Sequence, residues 1–436
     1  MTPDRDKKTQ NRRPAAQNQS RKAPEQKKHS HRLTALLLAA VLLAAAAGGF
    51  YLLRKQDPGS SVTASESDAT GETRHKKNEK EPFTVIHIAA AGDLNVTPTV
   101  VRDAAAMPGS YDFQQTFAEV APLMSQADLT LLNLEGTFSG APYGDERSSA
   151  PPELIDALKS MGVDAVQTAN SASIRAGILG LQATYENLYR QQILPIGTFR
   201  DAEAFRRSGG YSIVEVQGLR IALVGFTKGM DNLGLPQGSE DCVNVLYEDY
   251  TTTYKKVAAD RIRRVLRRVE EEQPDLTIAM LHWGSEYNEE VSESQKDIRD
   301  LMLEGGVDVI LGTHPHLVQT IEYDKQANTL VAYSLGDFLG DADQPGTNYS
   351  LILDLEITRD NLSGEVTISG YDYTPIFTVR PEDSAQGGRR VVQTRDAVRR
   401  YEGNYIGKVT PEIYGTMNHA LERIDQRIHK ELDPEK

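Results

Sequence analysis

His314-Pro315-His316 is the segment of this 436-residue chain best suited to chemistry. Side chains two apart on extended backbone face the same way, and a proline disfavours helical backbone in the residue before it. The spacing therefore predicts two imidazoles turned into one site. Other polar residues of metal-ligand type stand just after apolar runs: Asp93 after Thr84–Ala90, Glu135 after Leu129–Leu134, Asn170 after Val163–Thr168 and His282 after Leu276–Leu281. His314 and His316 themselves follow Val307–Leu311. Of the nine histidines only His87, His282, His314 and His316 lie between Pro82 and Asp383, and three of these close such a run. Histidines with carboxylates and an amide suit one or two divalent ions of Zn, Mn or Fe. With Cys242 as the single cysteine, a Cys-rich zinc site or an intrachain disulfide framework is excluded. The GxSxG, P-loop and HExxH motifs are absent. Two loop histidines bonded to backbone, or an Asp following Gly in a turn, would use the same residues for structure alone.

The elements that must position these side chains alternate between short apolar runs and amphipathic segments, which is an α/β pattern. Strands are expected over Thr84–Ala90, Leu129–Leu134, Val163–Thr168, Tyr211–Val216, Leu219–Gly225, Leu276–Leu281, Val307–Leu311, Thr329–Ser334 and Ser350–Ile357. Gln217-Gly218 between two of them predicts a hairpin. Helices are expected over Pro151–Met161, Gly177–Gln192, Tyr250–Glu272 and Val291–Glu304, with further helical segments around Val391–Tyr401 and Pro411–Lys430. Ile262, Val265, Leu266 and Val269 follow helical spacing, and the arginines between them read as a solvated face. In α/β sheets sites gather at the carboxyl ends of strands, where the candidate ligands fall. Trp283, the only tryptophan, reads as a packing anchor beside His282.

Charge divides the chain unevenly. Residues 1–32 hold ten Lys/Arg against three Asp/Glu, a balance of +7, which leaves -21 of the total -14 for the remainder. The basic arm ends at 33–53, a stretch of 21 residues without a charge, long enough as a helix to span a hydrocarbon core of about 30 Å. The positive-inside rule puts residues 1–32 in the cytoplasm and the rest outside, as a single-pass membrane protein. A cleaved signal peptide is the competing reading of 33–53, disfavoured by the long basic arm. Residues 54–81 read as a flexible linker, 82–382 as the main domain and 383–436 as a charged, partly helical extension that packs on that domain or serves a partner. The acidity of the part beyond the membrane argues against nucleic acid as a partner.

Taken together, Ala91-Gly92-Asp93, Asn133-Leu134-Glu135-Gly136, His282-Trp283-Gly284-Ser285-Glu286-Tyr287, Gly312-Thr313-His314-Pro315-His316 with Gln319, and Tyr333-Ser334-Leu335-Gly336-Asp337-Phe338 resemble, in order, the CapA family of membrane-anchored proteins associated with poly-γ-glutamate capsule synthesis. The resemblance covers about Phe83 to Ile357. It implies a metallophosphoesterase-like layered α-β-β-α sandwich, metal ligation by Asp93, Glu135, His282, His314 and His316, and supporting or substrate-facing roles for Asn133, Asn170, Arg175, Glu286 and Asp337. The chain departs from the family pattern where Ala-Asn-Asn-His, then Asp and Gly, are usual: it has Ala169-Asn170-Ser171-Ala172, then Arg175 and Gly177. A ligand Asn is thus replaced by Ser171, a His that acts near the leaving group by Ala172 and an Asp by Arg175, while Asp337 stands where Asn is usual.

Two functions follow from that resemblance. One is an accessory component in synthesis or export of an anionic capsule polymer such as poly-γ-glutamate, with a partly degraded metal site, working beside a polymer synthase or export complex. The alternative is an active metal-dependent hydrolase of a phosphoester or a γ-glutamyl or other acyl bond. The Ser171 and Ala172 replacements favour the first; retention of five ligand-type residues favours the second.

Overall fold

The computed structural model describes residues 81–384, 387–402 and 410–430. The arm 1–32, the apolar segment 33–53 and residues 54–80 of the linker lie outside the described residues, and among those described no helix is long and apolar enough to cross a membrane. The strands, in chain order, are β1 (Phe83–Asn95), β2 (Ala105–Met107), β3 (Ser110–Tyr111), β4 (Leu129–Glu135), β5 (Ala165–Gln167), β6 (Leu194–Ile196), β7 (Ser212–Val216) and β8 (Leu219–Thr227). They continue with β9 (Leu276–His282), β10 (Val309–Thr313), β11 (Ile321–Asp324), β12 (Thr329–Ala332), β13 (Asp337–Leu339), β14 (Tyr349–Asp360), β15 (Val366–Val379) and β16 (Arg390–Gln393).

One sheet runs β16-β15-β14-β1-β4-β5-β6, with β13 paired to β1; a second runs β11-β12-β10-β9-β8-β7. Strands β1, β4, β5 and β6 are mutually parallel, as are β8, β9, β10 and β12. The period-2 alternation of apolar residues explains the layering. On β1, Ile86, Ile88 and Ala90 join Leu223, Ile278, Met280, Val309 and Leu311 of the second sheet in a shared inner core. The alternate residues Ala89 and Ala91 instead pack with Met124, Leu154 and Leu158 of the helices Ala121–Gln126 and Pro152–Ser160. On the far side, Ala222, Ala279 and Ile310 pack under the helices Ala259–Glu271 and Glu293–Glu304. The result is the α-β-β-α sandwich, a mixed α/β fold.

Gln217 and Gly218 both have positive φ, 48° and 85°, as a two-residue type I′ hairpin turn requires. In the helix Ala259–Glu271, Ile262, Val265, Leu266 and Val269 are buried and Arg263, Arg264, Arg267 and Arg268 exposed. This helix starts nine residues later than expected. Asp249 accepts bonds from Thr253, Lys255 N and Lys256 N, so side-chain bonding holds Tyr250–Thr253 in turns rather than helix. Val291–Glu304 begins at Glu293 behind a Ser292/Gln295 capping box.

The segment expected to be helical from Val391 is instead β16 until Gln393, its β-branched valines pairing with Phe377 and Thr378; the helix starts at Thr394. Beyond it, the helix Pro411–Ile428 buries Ile424 and Ile428 in the inner core. Thr320 Oγ1 donates to the carbonyls of Ile428 and Lys430 at 3.2 and 2.6 Å, and Arg423 pairs with Glu289 at 2.7 Å. The described residues after Asp383 therefore pack on the main domain. Strands β2, β3, β6, β11, β13 and β15 were not expected either. The first five are only two to four residues long, and β15 carries Gly370 and Pro375, residues that weaken a strand signal.

Candidate metal centre

The carboxyl ends of β1, β4, β9 and β10 meet where three glycines let backbones touch. A Cβ on Gly92 would lie 1.8 Å from Gly336 O, and one on Gly312 2.0 Å from Tyr333 O. Gly92 thereby allows the bond from Asp93 N to Gly336 O, 2.9 Å, which sets Asp93 beside Asp337, its partner in the β1–β13 register. Gly336, at φ 77°, makes the turn into β13.

His314 and His316 do not reach the centre on extended backbone: their φ values are 93° and 59°. The tertiary bonds override the local preference. His314 N donates to Asp93 Oδ2 at 3.0 Å, and Tyr287 N donates to Pro315 O at 2.9 Å, fixing a tight turn. Such backbone costs about 1–3 kcal/mol per residue and collects at functional sites. Both imidazoles still enter the same centre, 6.1 Å apart between ring centroids.

Asp93, Glu135, His282, His314, His316 and Asp337 are all buried together. His316 Nδ1 lies 2.8 Å from Asp337 Oδ1 and 3.7 Å from Asp93 Oδ2. Asn95, two residues after Asp93 on β1, donates to Asp337 Oδ1 at 3.0 Å. Asn133 Nδ2 donates to Asp93 Oδ1 at 2.5 Å and lies 3.5 Å from His282 Nδ1. His282 is engaged at both ring nitrogens: Nδ1 with Thr313 Oγ1 at 3.1 Å, Nε2 with Ser171 Oγ at 3.0 Å and His314 Nδ1 at 3.1 Å.

The remaining candidates take other positions. Asn170 is a loop brace, donating to Asn133 Oδ1 and Leu134 O at 2.9 and 2.7 Å and accepting from Ala172 N at 3.0 Å. Arg175 is held by Asp231 at 2.6 Å and Ser148 at 2.7 Å, and reaches Glu135 Oε1 at 3.8 Å. Glu286 is exposed at the mouth, with a carboxylate oxygen within 4.8 Å of ring nitrogens of His314 and His316. Trp283 is fully buried, its Nε1 donating to Tyr333 O, and is the packing anchor expected. Asn95 and Asp231 were not among the expected site residues, and Thr313 stood only within the Gly312–His316 stretch. The i, i+2 spacing of Asp93 and Asn95 could have revealed the first; nothing local marks Asp231, which reaches Arg175 only through folding.

Electrostatics ties the cluster together. Burial, opposed by His316, pushes Asp93 up to about 6. Burial likewise lifts Glu135 to about 7, with Asp93 adding to it and His316 and Arg175 opposing. Asp337 is raised for the same first reason. Burial works against a charge on His316, yet Asp337, with Asp93 and Glu135 behind it, lifts that imidazole to about 11. Burial holds His282 and His314 neutral, well below the usual histidine range. Three buried carboxylates thus face one imidazolium, and Glu135 Oε2 is buried without a hydrogen-bond partner. That excess of oxygen donors and negative charge fits a divalent cation.

Two facing sheets with a buried histidine–carboxylate cluster at the carboxyl ends of their parallel strands define a mixed α/β protein with a candidate metal centre. The chain belongs to the family described as bacterial capsule synthesis protein PGA_cap, whose match spans residues 87–342. It is 24% identical over 302 residues to the capsule biosynthesis protein CapA of Bacillus anthracis, covering 68% of each chain. It is 24% identical over 264 residues to the PGA biosynthesis protein CapA of Bacillus subtilis, covering 59% of this chain and 64% of that one. A solved calcineurin-like phosphoesterase of Bacillus subtilis aligns over 80% of this chain and 100% of its own, at 14% identity and a TM-score of 0.41.

Proposed function

We propose that the protein is a membrane-anchored accessory component in the synthesis or export of an anionic capsule polymer of the poly-γ-glutamate kind. Residues 33–53 anchor it, residues 1–32 lie in the cytoplasm, and the folded domain works outside the cell, beside a polymer synthase or export complex. The observation that carries the reading is the loop after β5. Ala172 is fully buried and offers no proton, Ser171 is spent on His282, and Arg175 is held by Asp231. This loop has no side chain free to protonate a leaving group. The centre is then a structural cation site of Mn, Zn or Fe within a domain that binds partners. The test is polymer export in the native host. Deleting 33–53 abolishes export and His314→Ala preserves it; the reverse pattern contradicts the accessory role.

One observation favours the alternative, a metal-dependent hydrolase of phosphoester, γ-glutamyl or other acyl bonds: all five ligand-type residues, Asp93, Glu135, His282, His314 and His316, are buried together at the centre. A bound divalent ion would lower the pKa of a water and polarise the bond attacked. On that reading His282 and His314 are ligands, so His314→Ala lowers ion occupancy and turnover together.

A further inference from the structure

We propose that the arginine face of the helix Ala259–Glu271 is a contact surface for an extended polycarboxylate chain, separate from the metal centre. The inference rests on the accessory reading and adds where on the domain the anionic polymer lies.

Arg263, Arg264, Arg267 and Arg268 are all exposed. At about 100° per residue they cover an arc of about 140° opposite the buried Ile262, Val265, Leu266 and Val269, with Arg264 and Arg267 at its middle. None of the four is in an ion pair or a side-chain hydrogen bond among the described residues. The charges around them are spent elsewhere. Arg261 turns aside to Glu240 O at 3.0 Å, Asp241 at 3.4 Å and the Phe205 ring. Glu272, just past the helix, is taken by Arg220 at 3.1 Å. The helix's own acids, Asp260, Glu270 and Glu271, stand at its two ends.

A structural duty explains this face only in part. Arg268, in the last turn, complements the helix dipole, and its stem packs by Gly209, where a Cβ would lie 3.2 Å from Arg268 Cδ. Arg263 and Arg264 sit mid-helix, beyond the reach of that effect. The pairs Arg263/Arg267 and Arg264/Arg268 are like charges one turn apart, which destabilises the helix unless an anion lies between them.

Charge complementarity selects the occupant. The chain after residue 32 carries -21, so a polyanion is repelled by the domain as a whole and held only where the sign reverses locally. A helix with its side chains is about 10–12 Å across. One flexible chain fits along such a strip, whereas a planar anionic membrane would meet the acidic surroundings as well. The groove of about 570 Å³ beside the strip carries Glu270, Glu304 and Asp308, so the polymer lies on the ridge and not in the groove. Guanidinium groups take carboxylates through two parallel bonds, and arginines one turn apart, about 6 Å along the axis, can meet successive carboxylates of one chain. The helix packs on the outer side of the second sheet, over Ala222, Ala279 and Ile310, away from the strand ends that hold the centre.

The test measures binding of end-labelled poly-γ-glutamate to the full chain in neutral detergent by fluorescence anisotropy. Every chain measured has the ten Lys/Arg of residues 1–32 replaced by Gln, so that the basic arm does not contribute. We expect binding that weakens as salt rises from 0.1 M to 1 M, where the Debye length falls from about 10 to about 3 Å. The triple variant Arg264→Gln/Arg267→Gln/Arg268→Gln raises Kd at least tenfold. The matched triple Arg102→Gln/Arg190→Gln/Arg399→Gln removes the same charge from exposed arginines that already have acidic partners, and stays within about twofold. If the first triple lacks the parent's cooperative thermal transition, Arg264→Gln alone replaces it with an expected loss of about threefold. Equal losses in the two triples overturn the proposal as unspecific charge. Binding to polyphosphate or to phosphatidylglycerol vesicles that is tighter than to the polycarboxylate, and lost with the ridge variant, overturns the choice of occupant. A chain that binds no polymer, yet still needs residues 33–53 for export in the native host, overturns the ridge and leaves the accessory reading standing; one that also exports without them overturns both.

Discussion

Ile424 ties the last described helix to the inner core, and its replacement by Ala measures how far the domain depends on that helix. The residue is fully buried, in one apolar cluster with strands of both sheets. Truncation removes three buried carbons at about 0.8 kcal/mol each, or about 2.4 kcal/mol, and incomplete closure of the cavity raises the cost to about 3–4 kcal/mol. The consequence extends to the site. Arg423 and Arg427 of this helix, with Lys430 just beyond it, pair with Glu289 and Glu290. Those two glutamates belong to the loop that follows Glu286 and Tyr287 at the mouth of the centre. Urea unfolding of Ile424→Ala should lower the midpoint by the equivalent of about 3 kcal/mol with an unchanged m-value. Arg423→Ala, whose pair is part-exposed, should cost about 1 kcal/mol or less. A loss below about 1 kcal/mol for Ile424→Ala would refute the docking, since a solvated helix loses almost nothing on truncation.

Asp308, lifted by burial to about 6, stabilises the fold most below pH 3.8, and this contribution is lost as pH rises through 6. Asp308→Asn, whose carbonyl can still accept from Thr277 N, should therefore raise stability at pH 7.5 by up to about 3 kcal/mol and change it little at pH 3.5, read by thermal melts at both values. With chelator present, Arg175→Ala removes a cation near Glu135 and moves that carboxyl above about 7, so the loss of stability with rising pH should continue to higher pH than in the parent; superimposable Tm-against-pH curves would contradict it. Mn(II) at a hundred times its Kd should add about 2.7 kcal/mol to the unfolding free energy, measured as a rise in Tm that excess chelator abolishes. Gly92→Ala places a methyl 1.8 Å from Gly336 O, so it should cost about 1–3 kcal/mol and weaken Mn(II) binding by separating Asp93 from Asp337, both measurable on one purified sample.

Much of this protein was determined by local sequence. Period-2 apolar runs and helical spacing placed the nine expected strands and the main helices, because burying one face requires that repeat wherever the element ends up. Polar ligand-type residues directly after those runs marked Asp93, Glu135, His282, His314 and His316, since parallel strands deliver their carboxyl ends to one edge. The Gln217-Gly218 turn needs only its two positive φ angles. Where long-range contacts set the outcome, the sequence was silent or misleading. His314 and His316 leave extended backbone because Asp93 and Tyr287, distant in the chain, bond their turn. Val391 and Val392 join a sheet because β15 offers an unpaired edge. Whether Asn170 or Asp337 stands in the centre was decided by packing: Asn170's amide is consumed by Asn133 and Leu134 of β4 and by Ala172 N, while the Gly92–Gly336 contact draws Asp337 against His316 and Asp93. Residue type and spacing name the groups able to hold a cation, but hydrogen bonds formed only on folding determine which lone pairs remain to hold it.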